Sequence, residues 1–328
     1  MSTTIKKATD VYFTLNNGIK IPALGLGTVP SGDPSGVKDQ VVTAIKAGYR
    51  LIDTAWYYGT EKYVGQALKE VFDEGVVKRE DIFITTKVWP SFWHSPEKSL
   101  DISLKTLGLD YVDLFLQHWP TELHGDENGE PTAPKDDKGN LIYDDDPATG
   151  TKFIEVYQSL EKILDNTKKT RSIGVSNYSL PKIRQLLPHV KHVPVVNQIE
   201  YHPQLPQQNL VDFCNEHKII VEAYSPVGGP GAPVLNLPLV QELAKKYDVS
   251  TNEIVDAYQI LNGRIAIPRS SNLERIKSIV NLPDLSKEEL DELYQIGVVN
   301  PTRYTNDPWG YGLGFRWWDG DTLSKEFD

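Results

Sequence analysis

Short apolar runs alternate with amphipathic stretches along most of this 328-residue chain, and that alternation limits the folds open to it more than any other feature. The runs at residues 24–27, 51–53, 82–87, 112–116, 172–175, 195–198, 219–224 and 264–267 predict strands. Between them, residues 37–47, 62–72, 96–107, 153–164, 180–187, 205–216 and 239–247 carry apolar side chains at helical spacing. Gly48, Gly75 and Gly108 stand where helices should stop. Such alternation builds a parallel sheet, either closed into a barrel or open and doubly wound. An open dinucleotide fold should carry three spaced glycines at its first strand-to-helix turn. Here that turn reads Gly25-Leu26-Gly27-Thr28-Val29-Pro30, with proline in the third place, so the closed (β/α)8 TIM barrel is the expected fold class. Gly27 and Thr28 are then either a plain tight turn or part of a cofactor or substrate pocket.

Three segments lie outside the alternation. Residues 11–22 read as an N-terminal β-hairpin, with Asn17-Gly18 predicting a type I′ turn, and such a hairpin would cover the apolar lower end of a barrel. Residues 121–150 are polar, rich in Asp, Gly and Pro, and too long for a plain connection, so they read as a lid or substrate loop. The tail from about residue 300 to 328 carries Trp309, Trp317 and Trp318 among glycines and reads as an irregular arm. No linker divides the chain, which predicts one barrel domain over residues 1–328.

The chemistry is written at the strand ends. The second run closes on Asp53, the third on Lys87 and the fourth on Gln117-His118. One charged residue at a strand end is usually a solvated cap. Three on consecutive strands converge on the face where barrels build active sites. Tyr58 follows Asp53 by one short loop. A lysine ammonium beside a phenol makes it a better acid, and a carboxylate beside the lysine keeps that ammonium charged. Asp53, Lys87 and Tyr58 form such a relay, with His118 to orient a carbonyl oxygen. The set lacks a nucleophile and a metal, so a cofactor has to supply the reacting group. Tyr57 reads as a packing aromatic.

The order Asp53-Thr54-Ala55-Trp56-Tyr57-Tyr58-Gly59, then Thr85-Thr86-Lys87-Val88-Trp89, then Gln117-His118-Trp119-Pro120 resembles the aldo-keto reductase superfamily. So do Ile173-Gly174-Val175-Ser176-Asn177, the run from Val196 to Pro203, Ala223-Tyr224-Ser225-Pro226 and Ile267-Pro268-Arg269-Ser270. The similarity runs from Tyr12 to about Arg303, and the stretches from Ala44 to Trp56 and from Gly228 to Pro233 resemble its NADP-linked D-arabinose dehydrogenases and carbonyl reductases. The resemblance implies an NADP(H)-dependent oxidoreductase that moves a hydride between the nicotinamide and an aldehyde, ketone or sugar C1. Tyr58 would donate the proton, Lys87 and Asp53 would tune it, and His118 would orient the substrate. Ser176, Asn177 and Gln198 would bind the nicotinamide carboxamide, with Gly27 and Thr28 also in the cofactor groove. Tyr224 would stack on the nicotinamide ring, and Ser225, Pro226 and Val227 would pass under the pyrophosphate. Arg269, Ser270, Asn272 and Arg275 would hold the adenosine 2′-phosphate.

That last cluster also has its own reading. Pro268-Arg269-Ser270-Ser271-Asn272 ends strand eight and opens a helix, and helix-start N–H groups, arginines and hydroxyls suit an anion. The alternative makes Asn272 a plain cap and Arg275 a solvated helix residue. Three departures from the family pattern carry expectations. Arg269 replaces a common lysine, keeping the charge and adding a fork. Ser278 and Ile279 replace a Glu-Asn pair that contacts adenine, so NAD(H) is a possible second coenzyme with weaker preference. Val29 replaces a tryptophan and implies a wider mouth. Trp56, Trp89, Trp93 and Trp119 are expected to line the substrate side.

Composition closes off other classes. A net charge of −11 repels nucleic-acid phosphate. No apolar run approaches about 18 residues, so no membrane span is expected. The polar start from Met1 to Asp10 reads as no secretory signal. Cys214, the one cysteine, allows neither an internal disulfide nor a cysteine-based zinc site, fits a cytoplasmic protein, and reads as a packed thiol rather than a nucleophile. A small-molecule carbonyl or sugar is the expected partner, and a monomer or weak dimer the expected assembly. Two rivals remain. A metal-dependent barrel hydrolase needs several ligands at strand ends, where only His118 stands. An NADP-binding sensor or regulatory subunit would keep the nucleotide residues, but the intact Asp53, Tyr58, Lys87 and His118 set favours turnover.

Overall fold

A computed structural model describes residues 6–125, 134–305 and 313–315. Eight strands pair in parallel in chain order: β1 (Leu26–Gly27), β2 (Leu51–Asp53), β3 (Phe83–Val88), β4 (Leu114–Gln117), β5 (Ile173–Ser176), β6 (Val196–Glu200), β7 (Ile220–Tyr224) and β8 (Ile265–Ala266). A parallel bridge between Leu24 and Ala266 closes the sheet, with Gly25 N–H on Ala266 O at 2.8 Å and Ala266 N–H on Ala23 O at 2.9 Å. The fold is therefore the (β/α)8 barrel, and each strand lies within about two residues of its expected place.

Helices α1 (Val37–Lys46), α2 (Glu61–Asp73), α3 (Pro96–Leu107), α4 (Lys152–Asn166), α5 (Leu180–Leu186), α6 (Gln208–Glu216) and α7 (Pro238–Tyr247) form the outer layer and match the seven amphipathic stretches. Gly48, Gly75 and Gly108 follow α1, α2 and α3 at positive φ, as helix stops should. Three further helices complete the layer: α8 (Thr251–Leu261), α9 (Leu273–Ser278) and α10 (Lys287–Val299). Cys214 on α6 is fully buried, and burial pushes its thiol up to about 12, which makes it the inert packed residue expected.

Side chains alternate across each strand, so one set faces the helices and the other fills the barrel. Leu51, Phe83, Leu114, Val196 and Ile265 fill the lower interior, where Leu15 and Ile21 from the hairpin join them. The hairpin strands, Tyr12–Thr14 and Lys20–Pro22, pair antiparallel and close the barrel floor. Each apolar side chain buried there contributes roughly 1.5–3 kcal/mol. The turn differs from the type I′ expected. Gly18 has φ +85° while Asn17 is not at positive φ, and Gly18 N–H bonds Leu15 O at 2.9 Å. Leu15 N–H bonds Ile19 O at 2.9 Å, and three residues, not two, lie inside that pair, so a right-handed turn ends in a left-handed glycine. The Asn17 side chain serves elsewhere, donating to Ser172 Oγ at 2.9 Å at the start of β5.

The long loop after β4 is partly regular: Leu123 bridges Tyr143 and Lys135 bridges Leu141, both antiparallel. Residues 126–133 of that lid or substrate loop lie outside the described residues, as do Trp309, Trp317 and Trp318 of the arm. The arm's start is anchored on Glu200 at the end of β6, whose carboxylate accepts Tyr304 N–H at 2.7 Å and Thr305 N–H at 3.0 Å and faces Arg303 at 3.5 Å.

Candidate active site

Lys87 is the centre of the barrel mouth. It faces inward from β3 and has no exposed surface. An ammonium removed from water has to be paired and hydrogen-bonded. Its Nζ lies 2.8 Å from each Asp53 carboxylate oxygen, 2.8 Å from Thr54 O and 3.1 Å from the Tyr58 hydroxyl. Burial works to lower Lys87, yet Asp53 and Tyr58 outweigh it and hold the ammonium above the ordinary lysine value. Lys87 therefore carries its charge at neutral pH.

Tyr58 reaches this cation because the chain turns back after β2. Residues Trp56–Tyr58 make one 3-10 turn, and Gly59 ends it at φ +66°, a conformation that suits glycine. One expectation is corrected here. Lys87 does pull the phenol down, but burial is the larger effect, and Tyr58 is pushed up to about 12. The phenol is thus protonated at neutral pH.

His118 stands across the mouth, its ring 5.7 Å from that of Tyr58 and nearly perpendicular to it. Burial and then Lys87 hold it well below the ordinary histidine value, so the ring is neutral. Its Nδ1 is buried and meets no hydrogen-bonding partner among the described residues. A buried nitrogen of this kind is suited to a ligand oxygen. Trp89 lies 5.3 Å from His118 and stacks on Tyr57 with centroids 3.6 Å apart, so Tyr57 packs as expected. Trp119 stacks on His118 at 6.5 Å, and Trp56 packs edge-on to Phe92 at 4.8 Å. Trp93 is turned to the loop after β4, where its Nε1–H donates to Asp144 at 2.9 Å. Val29 is 43% exposed, so no bulky side chain of the described residues covers that rim.

The residues expected to hold a nicotinamide sit on neighbouring strand ends and bond one another. Ser176 Oγ–H donates to Gln198 O at 3.0 Å. The Asn177 amide donates to His118 O at 3.0 Å and accepts from the Tyr224 hydroxyl at 2.8 Å, with its backbone at φ +60°. Gln198 Nε2–H donates to Asp53 Oδ2 at 2.8 Å. Thr28 donates its hydroxyl to Asp53 O at 2.9 Å, and Gly27 N–H bonds Pro268 O at 3.0 Å, which ties the first turn to β2 and the end of β8. After β7, Ser225 at φ +48° and Gly228 at φ +85° turn the segment through Pro226 and Val227 sharply, with Gly228 N–H on Ser225 O at 2.8 Å.

The arginine cluster past β8 is built differently from the simplest anion cradle. Asn272 is a true cap: its Oδ1 accepts Arg275 N–H at 2.9 Å, so that helix-start donor is taken. Asn272 N–H is also spent on Ser270 Oγ at 3.2 Å. Charge for an anion comes from the exposed guanidinium groups of Arg269 and Arg275. Arg269 donates to Pro30 O at 3.1 Å and to Val29 O at 3.4 Å. Ile279, at one expected adenine position, is only 4% exposed.

One buried group at the mouth escaped the sequence reading. Glu222, inside β7, is fully buried and close enough to Asp53 and Lys87 for both to bear on its ionisation. A carboxylate two residues before Tyr224, in an otherwise apolar run, is the signal that marks it.

Residues 23–297 match the model of the Aldo/keto reductase family. The chain is 43% identical over 312 residues to the D-galacturonate reductase of Hypocrea jecorina, covering 92% of this chain and 97% of that one. It is 41% identical over 301 residues to the glycerol 2-dehydrogenase (NADP(+)) of Saccharomyces cerevisiae, covering 90% and 93%. The solved structure of a Bombyx mori aldo-keto reductase in complex with NADP superposes with a TM-score of 0.76 at 35% identity, covering 87% and 92%. Matches of this length to reductases and dehydrogenases of one family, on a barrel whose mouth holds a lysine-bound phenol, carry one conclusion: the chain belongs to the aldo/keto reductase family and is an oxidoreductase.

Proposed function

We propose that the chain is an NADP(H)-dependent reductase of small aldehydes, ketones or sugars, with Tyr58 as its proton donor and D-arabinose-like sugars among its substrates. The observation that carries this reading is the Tyr58 hydroxyl 3.1 Å from a fully buried ammonium that Asp53 holds from both oxygens. The donor set fits a dinucleotide. Side-chain amides and hydroxyls of Ser176, Asn177 and Gln198 cluster against the His118 carbonyl and Asp53, groups that suit a carboxamide, and two exposed guanidinium groups stand past β8, as a 2′-phosphate requires. Bound there, the dinucleotide supplies the hydride for the carbonyl carbon.

The protein's own residues do the rest. Neutral His118 donates a hydrogen bond to the carbonyl oxygen and fixes its angle. Tyr58, protonated at neutral pH, gives its proton to that oxygen as negative charge builds there. The charged Lys87 faces the phenolate left behind, and the Asp53 carboxylate keeps Lys87 from drifting or discharging. Trp89 and Trp119, themselves buried, flank His118 and would back the apolar side of the substrate site. The NADP complex of the Bombyx mori protein and the coenzyme named for the Saccharomyces cerevisiae relative support NADP over NAD, and Arg269 and Arg275 are the residues to express it. One buried thiol suits a cytoplasmic protein, working as a monomer or weak dimer.

The test is Tyr58→Phe assayed with a panel of aldehydes, α-keto esters and sugars. Carbonyl reduction should fall at least about 100-fold, the size of a lost general acid, while NADPH fluorescence quenching stays near wild type. Reduction retained by the variant removes Tyr58 from its role; NADPH binding without turnover in the wild type favours the sensor.

A further inference from the structure

β7 brings a second carboxyl group into the barrel mouth. Glu222 lies on the inward side of the strand with Ile220 and Tyr224 and has no exposed surface. Register sets it beside Gln198 on β6 and Ile265 on β8. Gln198 already donates to Asp53 Oδ2 at 2.8 Å, so one amide stands between two carboxyl groups. Neither oxygen of Glu222 meets a partner in good hydrogen-bonding geometry. Ionised, it would be a buried charge without a direct counter-ion, which a protein interior resists.

The titratable groups facing it are Asp53 on β2, Lys87 on β3 and Tyr58 in the turn beyond β2; the flanking strands present the neutral Gln198 and Ile265. Burial, and after it the Asp53 charge, push the Glu222 carboxyl up to about 8, with Lys87 and the Gln198 amide opposing. Glu222 in turn bears on Tyr58, where its charge favours the protonated phenol.

We propose that Glu222 is a positioning residue that tunes Tyr58: uncharged, it leaves the Asp53–Lys87 pair alone to set the phenol, and ionised, it adds a second negative charge that keeps the proton on Tyr58. The inference rests on Tyr58 being the proton donor. Reduction needs the phenol, whereas alcohol oxidation needs the phenolate as base. A second carboxylate that charges as pH rises therefore delays phenolate formation and biases the enzyme toward reduction on the alkaline side.

The experiment is the pH profile of kcat/KM for alcohol oxidation with NADP⁺ in wild type, Glu222→Gln and Glu222→Asp. Removing a unit charge from a poorly screened site should move the rising limb of Glu222→Gln to lower pH by about one unit. Glu222→Asp, which keeps the charge, should restore it toward wild type. A merely structural role would scale the rate at every pH and leave the limb in place. Infrared difference spectra give a readout independent of turnover. At neutral pH the wild type should show the carbonyl stretch of a protonated carboxyl that Glu222→Gln lacks, fading as pH passes about 8. An unmoved limb in an active enzyme, or no such band, overturns the role of Glu222 and leaves Tyr58 untouched. A wild type without turnover overturns the Tyr58 reading, and the role of Glu222 with it.

Discussion

Arg269 is already pinned before any nucleotide arrives. Its guanidinium donates to Pro30 O at 3.1 Å and Val29 O at 3.4 Å, which holds the first and last loops of the barrel mouth together. An arginine placed this way meets a 2′-phosphate with little side-chain entropy left to lose. Charge-assisted hydrogen bonds contribute about 1.5–3 kcal/mol. Arg269→Ala should therefore weaken NADPH binding about 10-fold or more and NADH binding only slightly, as read by fluorescence titration with each coenzyme. Equal losses for both would mean that the residue serves only the loop. At this scale the sequence reveals what interrupts a pattern. Asp53, Lys87 and His118 stand out because each ends an apolar run, and all three meet at the mouth as expected. Glu222 is hidden inside such a run, since a strand's inward side is known only once its register is fixed. The charge state of Tyr58 was hidden too. Sequence shows the lysine that lowers the phenol but not the burial that raises it further.

Elements were legible where one face is wet. The stretches that became α1 to α7 alternate because each has a solvent side. Helix α8 does not: every residue from Glu253 to Ile260 is buried, so no apolar stripe marks it. What specifies α8 is its first turn. The Ser250 hydroxyl accepts Glu253 N–H at 3.3 Å, and the Glu253 carboxylate accepts Ser250 N–H at 2.8 Å. The other Glu253 oxygen accepts Asn281 N–H at 3.0 Å, tying α8 to the small sheet of Lys6–Lys7 and Asn281–Leu282. Ser250→Ala should cost about 1 kcal/mol in urea unfolding, and Glu253→Ala about twice that, because the Asn281 N–H loses its acceptor as well. Equal losses would show that the bond to Asn281 carries no weight. The same box recurs at Ser286 and Glu289 for α10, so both helices left a mark in the sequence, at their caps rather than in their periodicity.

The whole barrel keeps more carboxyl groups neutral than a solvated chain could. Burial pushes Glu61 up to about 7 and both Glu122 and Glu222 to about 8, while Asp256 lies well above the ordinary value. In the unfolded chain these groups release their protons near pH 4. Between the two values the native state binds more protons than the unfolded state, so stability falls as pH rises. His118 has the opposite sign, being held neutral when folded, but its contribution ends at about pH 6.5, where the unfolded imidazole discharges. From there to about pH 8 the carboxyl groups set the slope, each adding up to about 1.4 kcal/mol per pH unit. Glu122 and Glu222 together should therefore lower unfolding stability by about 2–4 kcal/mol across that window, as measured by urea midpoints at constant ionic strength. Replacing both by Gln should lessen the fall throughout the range from about pH 4, where the unfolded carboxyl groups titrate, to about pH 8, leaving the slope that Glu61 and Asp256 contribute. A wild-type curve already flat across this window would mean that water reaches these side chains in the folded barrel, and the mouth around Lys87 would then be far better screened than its geometry implies.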